Sequence, residues 1–436
     1  MDLTLAFVVF AALMAGSLAY GYSMLWALAT GFIGFMGVGL RQGFALPALL
    51  RMAWKGVRES LIVVRVMLTI GVLTGLWRAA GTFALLTAWG LRLISPSTFI
   101  LSAFLLSCTL SYALGSSFAT AGTLGVALMT VARSGGVSEL AAAGAILSGI
   151  YFGDRASPAS SCANLVAALT STDLYDNVKL MMRTALLPLL LALGLHTWLS
   201  FRNPMLGGEG AVLTSLNLDF HLSPWCALPA LVMLVLPLFK VKVLHSFGVS
   251  ILCAFFCAVL LQRTGTAGAL RFALMGFHAP EGSVRAIFNG GGLVSMLEIS
   301  AALMISGTYA GIFDGTGILR GLQSRLARAM DALGAYPVTL TLGTLANAVF
   351  CNQTVAVMMT VHVVRHPYEE RDLPPAELAQ DIANSAVITA GMVPWCIGCS
   401  VPLTMMGVGA GAVPYAAYLY LLPLCYLLTR RRWFRG

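Results

Sequence analysis

Residues 153–164 read Gly-Asp-Arg-Ala-Ser-Pro-Ala-Ser-Ser-Cys-Ala-Asn, directly after the apolar stretch 139–152. A carboxylate (Asp154), a guanidinium (Arg155), hydroxyls (Ser157, Ser160, Ser161), an amide (Asn164) and a proline (Pro158) are packed into one short stretch. Proline offers no N–H and disfavours helix in the residue before it, so the apolar helix has to stop here. Three further breaks of this kind interrupt apolar sequence: Leu114-Gly-Ser-Ser117, Phe350-Cys-Asn-Gln-Thr354 and Thr389-Ala-Gly-Met-Val-Pro-Trp-Cys396.

The rest of the chain says where such breaks must lie. Of 436 residues, 58% are hydrophobic and 10% charged, with a mean hydropathy of +0.86. Soluble domains carry roughly 25% charged residues. So much apolar surface cannot be hidden in one core, and the remainder must face lipid. The net charge of +9 is concentrated in patches at Arg41, Arg51, Lys55 and Arg58, at Arg320, Arg325 and Arg328, and at Arg430, Arg431, Arg432 and Arg435. Basic connectors between apolar runs mark cytoplasmic loops. They have no domain to present them to nucleic acid, which is not an expected partner.

Apolar spans are read at 3–20, 22–40, 60–79, 97–114, 183–201, 224–239, 243–262, 293–313, 337–350 and 411–429. Shorter apolar stretches at 118–132, 139–152, 160–170, 354–364, 380–392 and 396–408 flank the four breaks and suggest broken helices or re-entrant hairpins. Residues 41–59 and 316–332 mix basic and apolar character, as helices at the membrane interface do. The run from Leu3 to Tyr20 has no basic leader before it and reads as a retained first helix. With two spans before the basic 41–58 loop and arginines at the end, both termini are expected in the cytoplasm, in a multi-pass protein of the cell inner membrane.

One internal offset organises the sequence. Gly71, Gly75, Gly81, Leu86 and Arg92 recur 236 residues later as Gly307, Gly311, Gly317, Leu322 and Arg328. The same displacement lays Gly115-Ser-Ser-Phe118 over Cys351-Asn-Gln-Thr354, and Pro158 over Pro394. Basic residues precede the first copy and follow the second, which implies opposite insertion of two related halves. The expected fold is therefore an all-α polytopic membrane protein with two inverted repeats, broken helices and re-entrant hairpins. Its divisions are 1–59 (N-terminal helices and basic loop), 60–201 (first repeat), 202–292 (linker with scaffold helices), 293–410 (second repeat) and 411–436 (last helix and basic tail).

Backbone that is not helical survives in a membrane only where protein or water satisfies it, so the paired breaks point to a substrate site. Their oxygen-bearing side chains, Ser116, Ser157, Ser161, Asn164, Asn352, Gln353 and Thr354, suit a hard cation. Asp154 is the sharpest candidate: a carboxylate at this depth is costly unless it serves an ion or proton path, or pairs with Arg155 beside it. Asp314 and Arg78 occupy corresponding places in the two halves and either pair, face a cavity or snorkel. Glu298 lies one turn into an apolar span, and Asp173 is placed to cap a helix. Cys396-Ile-Gly-Cys399 stands without a second pair, so small-residue packing is the simpler reading. No metal-enzyme spacing and no phosphate-binding loop is found, which leaves secondary transport rather than an enzyme or an ATP-driven pump.

At its breaks the sequence resembles the NhaC family of sodium/proton antiporters, within the ion-transporter superfamily. The matching stretches are 153–165, Thr172-Asp-Leu-Tyr175, Gly291-Gly-Leu-Val-Ser-Met296 and Gly311-Ile-Phe-Asp-Gly-Thr-Gly317. Cys351-Asn-Gln353, Tyr368-Glu-Glu-Arg371 and Val393-Pro-Trp395 complete them, and the likeness runs from about residue 60 to the end. The resemblance implies a sodium/proton antiporter working by alternating access, with sodium and protons as cargo and no cofactor. Asp154, alone or with Asp314, would couple the proton. Two departures matter: the family tends to have Asp at the places of Ser161 and Asn352. These neutral residues keep open an alternative, a carrier of an organic anion or amino compound. Membrane lipid and a small ion or ionic solute are the expected partners, and a homodimer is allowed.

Overall fold

A computed structural model describes residues 3–20, 22–93, 95–158, 160–205, 219–239, 241, 243–279, 289–317 and 323–434. The described residues form helices joined by short connections, with one isolated bridge between Phe277 and Gly290 and no strand. Helices α1 (Leu3–Tyr20), α2 (Met24–Arg41), α3 (Leu46–Ala79), α4 (Thr82–Leu93) and α5 (Phe99–Leu114) lead to the first break. Beyond it come α6 (Ser117–Thr120), a π-helical turn (Ala121–Gly125), α7 (Val126–Ser134), α8 (Glu139–Ala156), α9 (Ser161–Thr170) and α10 (Leu174–Arg202). The middle of the chain holds α11 (Leu228–Leu238), α12 (Val243–Phe256) and α13 (Gly265–Met275). The second half comprises α14 (Leu297–Thr316), α15 (Gln323–Leu333), α16 (Ala335–Phe350), α17 (Gln353–Glu369) and α18 (Pro375–Ile382). A second π-helical turn (Ala383–Val387) then leads to α19 (Ile397–Met405), α20 (Ala417–Thr429) and α21 (Arg431–Phe434).

Among the described residues four helical stretches are long and apolar enough to cross a membrane: Pro96–Leu114, Leu174–Arg202, Leu244–Leu261 and Val294–Phe313. Shorter apolar helices such as Leu25–Arg41, Met67–Ala79 and Ala417–Thr429 accompany them. Leucines 186, 190, 252 and 428, each more than half exposed, make an apolar exterior. In water it would be an aggregation surface; in lipid it is solvated. The chain is a multi-pass helical membrane protein.

Helix boundaries keep the spacing of the sequence repeat. Helix α5 spans Phe99–Leu114 and α16 spans Ala335–Phe350, both ends 236 residues apart. The starts of α6 and α17 at Ser117 and Gln353, and of α9 and α19 at Ser161 and Ile397, keep the same displacement. Gly81 and Gly317, one following the end of α3 and the other closing α14, both adopt positive φ.

The structure corrects one reading. Residues 41–59 do not form a separate interface helix before a span at 60–79; a single 34-residue helix, α3, runs from Leu46 to Ala79. Pro47 opens it at the first turn, where proline is tolerated, and no later proline stops it. Its basic stretch is held by packing: Gly56 lies against the backbone of Gly307 and Gly311 on α14, so closely that a Cβ there would collide with the Gly307 carbonyl. Small residues allow such approach of two membrane helices. The helix expected at 316–332 begins at Gln323, and residues 318–322 lie outside the described residues.

Candidate functional site

The two short breaks have nearly the same backbone. Gly115 closes α5 at φ 64°, ψ 28°, and Ser116 follows at φ −147°, ψ 119°. Cys351 closes α16 at φ 54°, ψ 15°, and Asn352 follows at φ −141°, ψ 117°. The first residue of each pair is left-handed, natural for glycine and a strain for cysteine. The second is an N-cap. Ser116 Oγ accepts from the Ala119 N–H at 3.2 Å, and Asn352 Oδ1 from the Thr354 and Val355 N–H groups at 3.0 and 3.3 Å. Two helices thus restart at matching positions.

Both restarts reach the same carboxylate. Asp154, 5% exposed on the last turn of α8, accepts the Ser117 N–H on Oδ1 at 3.4 Å and Gln353 Nε2 on Oδ2 at 3.1 Å. Gln353 Nε2 also donates to the Val387 carbonyl at 3.0 Å, drawing in the segment that leads to the fourth break. Positive helix ends favour an anion here. Among the described residues no basic group pairs with Asp154, so the pairing with Arg155 is absent. Arg155, fully buried, turns away to Asn384 Oδ1 (2.9 Å), the Met181 carbonyl (3.1 Å) and Thr184 Oγ1 (2.9 Å).

Local packing puts Asp154 in place. Gly153 has no side chain because the backbone of Ser111 and Tyr112 on α5 occupies that space. Ser157 Oγ donates to the Tyr112 carbonyl at 2.6 Å. Ser160 Oγ donates to the Asp154 carbonyl and accepts the Cys162 and Ala163 N–H groups at 3.1 and 3.2 Å, which caps α9. The 153–164 segment is broken as the sequence requires. The 389–396 segment is non-helical after Thr389 and docks on the third break: the Ile397 N–H donates to the Cys351 carbonyl at 2.9 Å, and Trp395 Nε1 to that of Ala348 at 2.8 Å.

Of the residues singled out from sequence, Asp154 and Gln353 meet directly. Ser116 and Asn352 act as caps beside them, and Asn164 Nδ2 bonds the Pro158 and Ser160 carbonyls at 3.1 and 2.7 Å. Ser161 and Thr354 are exposed on the first turns of α9 and α17. The side chain of Asp314 lies outside the described residues. Glu298 accepts from Ser23 Oγ at 2.5 Å, and Asp173 Oδ1 caps α10 through the Asp176 N–H at 2.9 Å. Cys396 and Cys399 are buried free thiols, and no group of metal-ligating side chains occurs among the described residues.

One cluster had not been read from sequence. Asp381, fully buried, accepts from Tyr368 Oη at 2.6 Å, Tyr426 Oη at 2.7 Å and Arg430 Nη2 at 2.8 Å, and Arg430 also pairs with Glu377. A carboxylate inside the apolar stretch 380–392 was the signal. The cluster ties the tail to α18.

A cavity of about 560 Å³ lies along α17. Lys55, Val355, Met359, His362, Arg365 and Glu369 are among its lining residues, and Val355 is two residues beyond Gln353. Arg365 donates to the Leu169 carbonyl.

Apolar membrane helices, broken where a buried carboxylate meets two helix starts, define the class of secondary carriers. Residues 149–429 match the Na+/H+ antiporter family, and the chain belongs to that family. It is a secondary active transporter. The chain is 28% identical over 370 residues to the malate-2H(+)/Na(+)-lactate antiporter of Bacillus subtilis, covering 83% of this chain and 78% of that one. The arginine/ornithine antiporter ArcD of Halobacterium salinarum is 27% identical over 413 residues (91% and 82%). The Na(+)/H(+) antiporter NhaC of Alkalihalophilus pseudofirmus is 26% identical over 398 residues (87% and 85%).

Proposed function

We propose that the protein exchanges sodium for protons across the cell inner membrane, with Asp154 holding one or the other in turn. The observation that carries this reading is the buried Asp154 carboxylate, without a cationic side chain among the described residues and faced by Ser117 and Gln353. An unpaired buried charge is strongly disfavoured, so the carboxylate calls for a proton or a bound cation. Ser157, Ser161, Asn164 and Asn352, with Ser116 and Thr354 close in sequence, supply the oxygen-bearing groups for a sodium shell. Asp314 is the second candidate for proton coupling.

The matching helix ends and the asymmetric basic patches support two inverted halves, 60–201 and 293–410, whose broken helices form re-entrant hairpins. Moving the bundle that carries Asp154 against α3 and α14 would expose the site to each face, with both termini in the cytoplasm. In everted vesicles, sodium should dequench acridine orange. A flat trace across sodium concentration and pH would overturn the reading.

A second reading is favoured by the cavity at Lys55, which also carries His362, Arg365 and His366 against Glu369. A cavity rich in basic side chains attracts anions. On this reading an organic acid is exchanged, as the names of two relatives suggest for carboxylate and amino-acid cargo. Counterflow of labelled lactate or malate in proteoliposomes separates it from pure cation exchange.

A further inference from the structure

A second polar cavity, about 170 Å³, lies at the other end of α3. Lys55 and Arg78 on that helix are separated by roughly 35 Å at 1.5 Å per residue, slightly more than the hydrocarbon thickness of about 30 Å. The two cavities therefore lie near opposite ends of α3. Arg78, on the last turn of α3, and Arg133, on the last turn of α7, both line the smaller one, together with Gly291 and Thr404.

The two arginines differ in what holds them. Arg133 Nε donates to Glu139 Oε2 at 2.8 Å, and its Nη2 to the Met406 and Gly407 carbonyls at 2.7 and 3.2 Å. Among the described residues Arg78 Nη1 has only the Thr74 carbonyl, at 3.4 Å, and its guanidinium stands 5.3 Å from the centre of the Phe83 ring. No carboxylate among the described residues pairs with it. Gly291 is pressed against it at φ +71°, where a Cβ would collide with Arg78 Nη1. The Gly291 N–H has no acceptor among the described residues. Among the described residues the cavity thus gathers two guanidiniums, of which only that of Arg133 is paired with a carboxylate, beside the Gly291 N–H without an acceptor. Unmet donors in a confined site are costly.

We infer that this cavity binds a small oxyanion, a carboxylate or phosphate group, between Arg78 and Arg133. A guanidinium offers parallel N–H groups that match two oxygens of such an anion. The volume admits a few heavy atoms and excludes a nucleotide. Arg78 sits on α3 while Arg133 holds the chain just beyond α19, so a bound anion ties these two parts together. The site is separate from Asp154 and does not depend on what is exchanged there.

Thermal unfolding of the purified full-length protein, delipidated in neutral detergent, tests this with potassium malate, phosphate and chloride at equal ionic strength. Malate or phosphate should raise the Tm saturably, in the wild type, in Asp154→Asn and in the surface control Lys179→Gln. Arg78→Gln should lose the shift. Arg78→Lys, which keeps the charge without the fork, should saturate at about tenfold higher concentration. An equal response to all three salts, or an undiminished shift in both Arg78 variants, would overturn the proposal. So would a shift produced only by phosphatidylglycerol, which would make the occupant a lipid headgroup.

Discussion

Gln353 Nε2 stands 3.1 Å from Asp154 Oδ2, and Ser117, whose N–H reaches the other oxygen of the same carboxylate, precedes Gln353 by 236 residues. Equivalent positions in the two halves converge on a group that only one half supplies, since Ala390 stands where a second Asp154 would be. On the proposed reading ion binding is thereby concentrated on one carboxylate, and alteration of either helix start should be felt there.

Asp154→Asn keeps an oxygen to accept the Ser117 N–H and removes the charge. The protein should remain folded, with a Tm within a few degrees of wild type, while sodium-driven proton flux in proteoliposomes falls at least about a hundredfold, or roughly 2.7 kcal/mol at 1.36 kcal/mol per decade. Retained flux would assign the coupling elsewhere.

Gln353→Ala removes the donor shared by Asp154 and the Val387 carbonyl. Two buried acceptors lose a partner, at a cost of about 1–3 kcal/mol. The variant should melt earlier and need more sodium for half-maximal exchange. Gln353→Glu should not restore it, because its carboxylate has no hydrogen to offer either acceptor.

Gly153→Ala tests the contact that sets Asp154 against α5. The added Cβ meets the backbone of Ser111 and Tyr112, which cannot swing aside. Overpacking of this kind costs about 1–3 kcal/mol. Gly194→Ala, on α10 with nothing within 4 Å of its Cβ, should instead be neutral or stabilising by up to about 1 kcal/mol. Parallel melts of the two variants should diverge in sign.

Arg155→Met leaves Asn384 Oδ1 without its guanidinium donor and the Met181 carbonyl with the Thr184 hydroxyl, which donates to it at 3.0 Å. A loss of about 1–3 kcal/mol is expected, the scale of leaving a buried polar group without its partner. Size-exclusion profiles should show reduced monodisperse yield, and Arg155→Lys, too short to reach three acceptors, should rescue only partly.

The breaks were legible because glycine, proline and polar residues weaken a helix inside apolar sequence, and a chain that only had to span lipid would not carry them there. Asp154 stood out for the same reason. Its partners were harder to see: Gln353 was one of several amides and hydroxyls, and which of them faces the carboxylate depends on how α17 docks beside α8. The continuity of α3 was hidden because basic residues at 51–58 mimic an interface segment, while the deciding fact, Gly56 against Gly307 and Gly311, joins positions about 250 apart in sequence. Asp381 escaped notice because its neighbours Tyr368, Tyr426 and Arg430 come from other helices. Long-range pairing is what one-dimensional pattern reading cannot supply.

Competition between sodium and a proton for Asp154 is tested most directly by the sodium half-saturation of exchange in proteoliposomes as pH is lowered. One proton displacing one cation from a single carboxylate should raise the half-saturating sodium concentration by about tenfold per pH unit on the acid side. A half-saturation that stays constant with pH while exchange persists would contradict the assignment of both ions to Asp154.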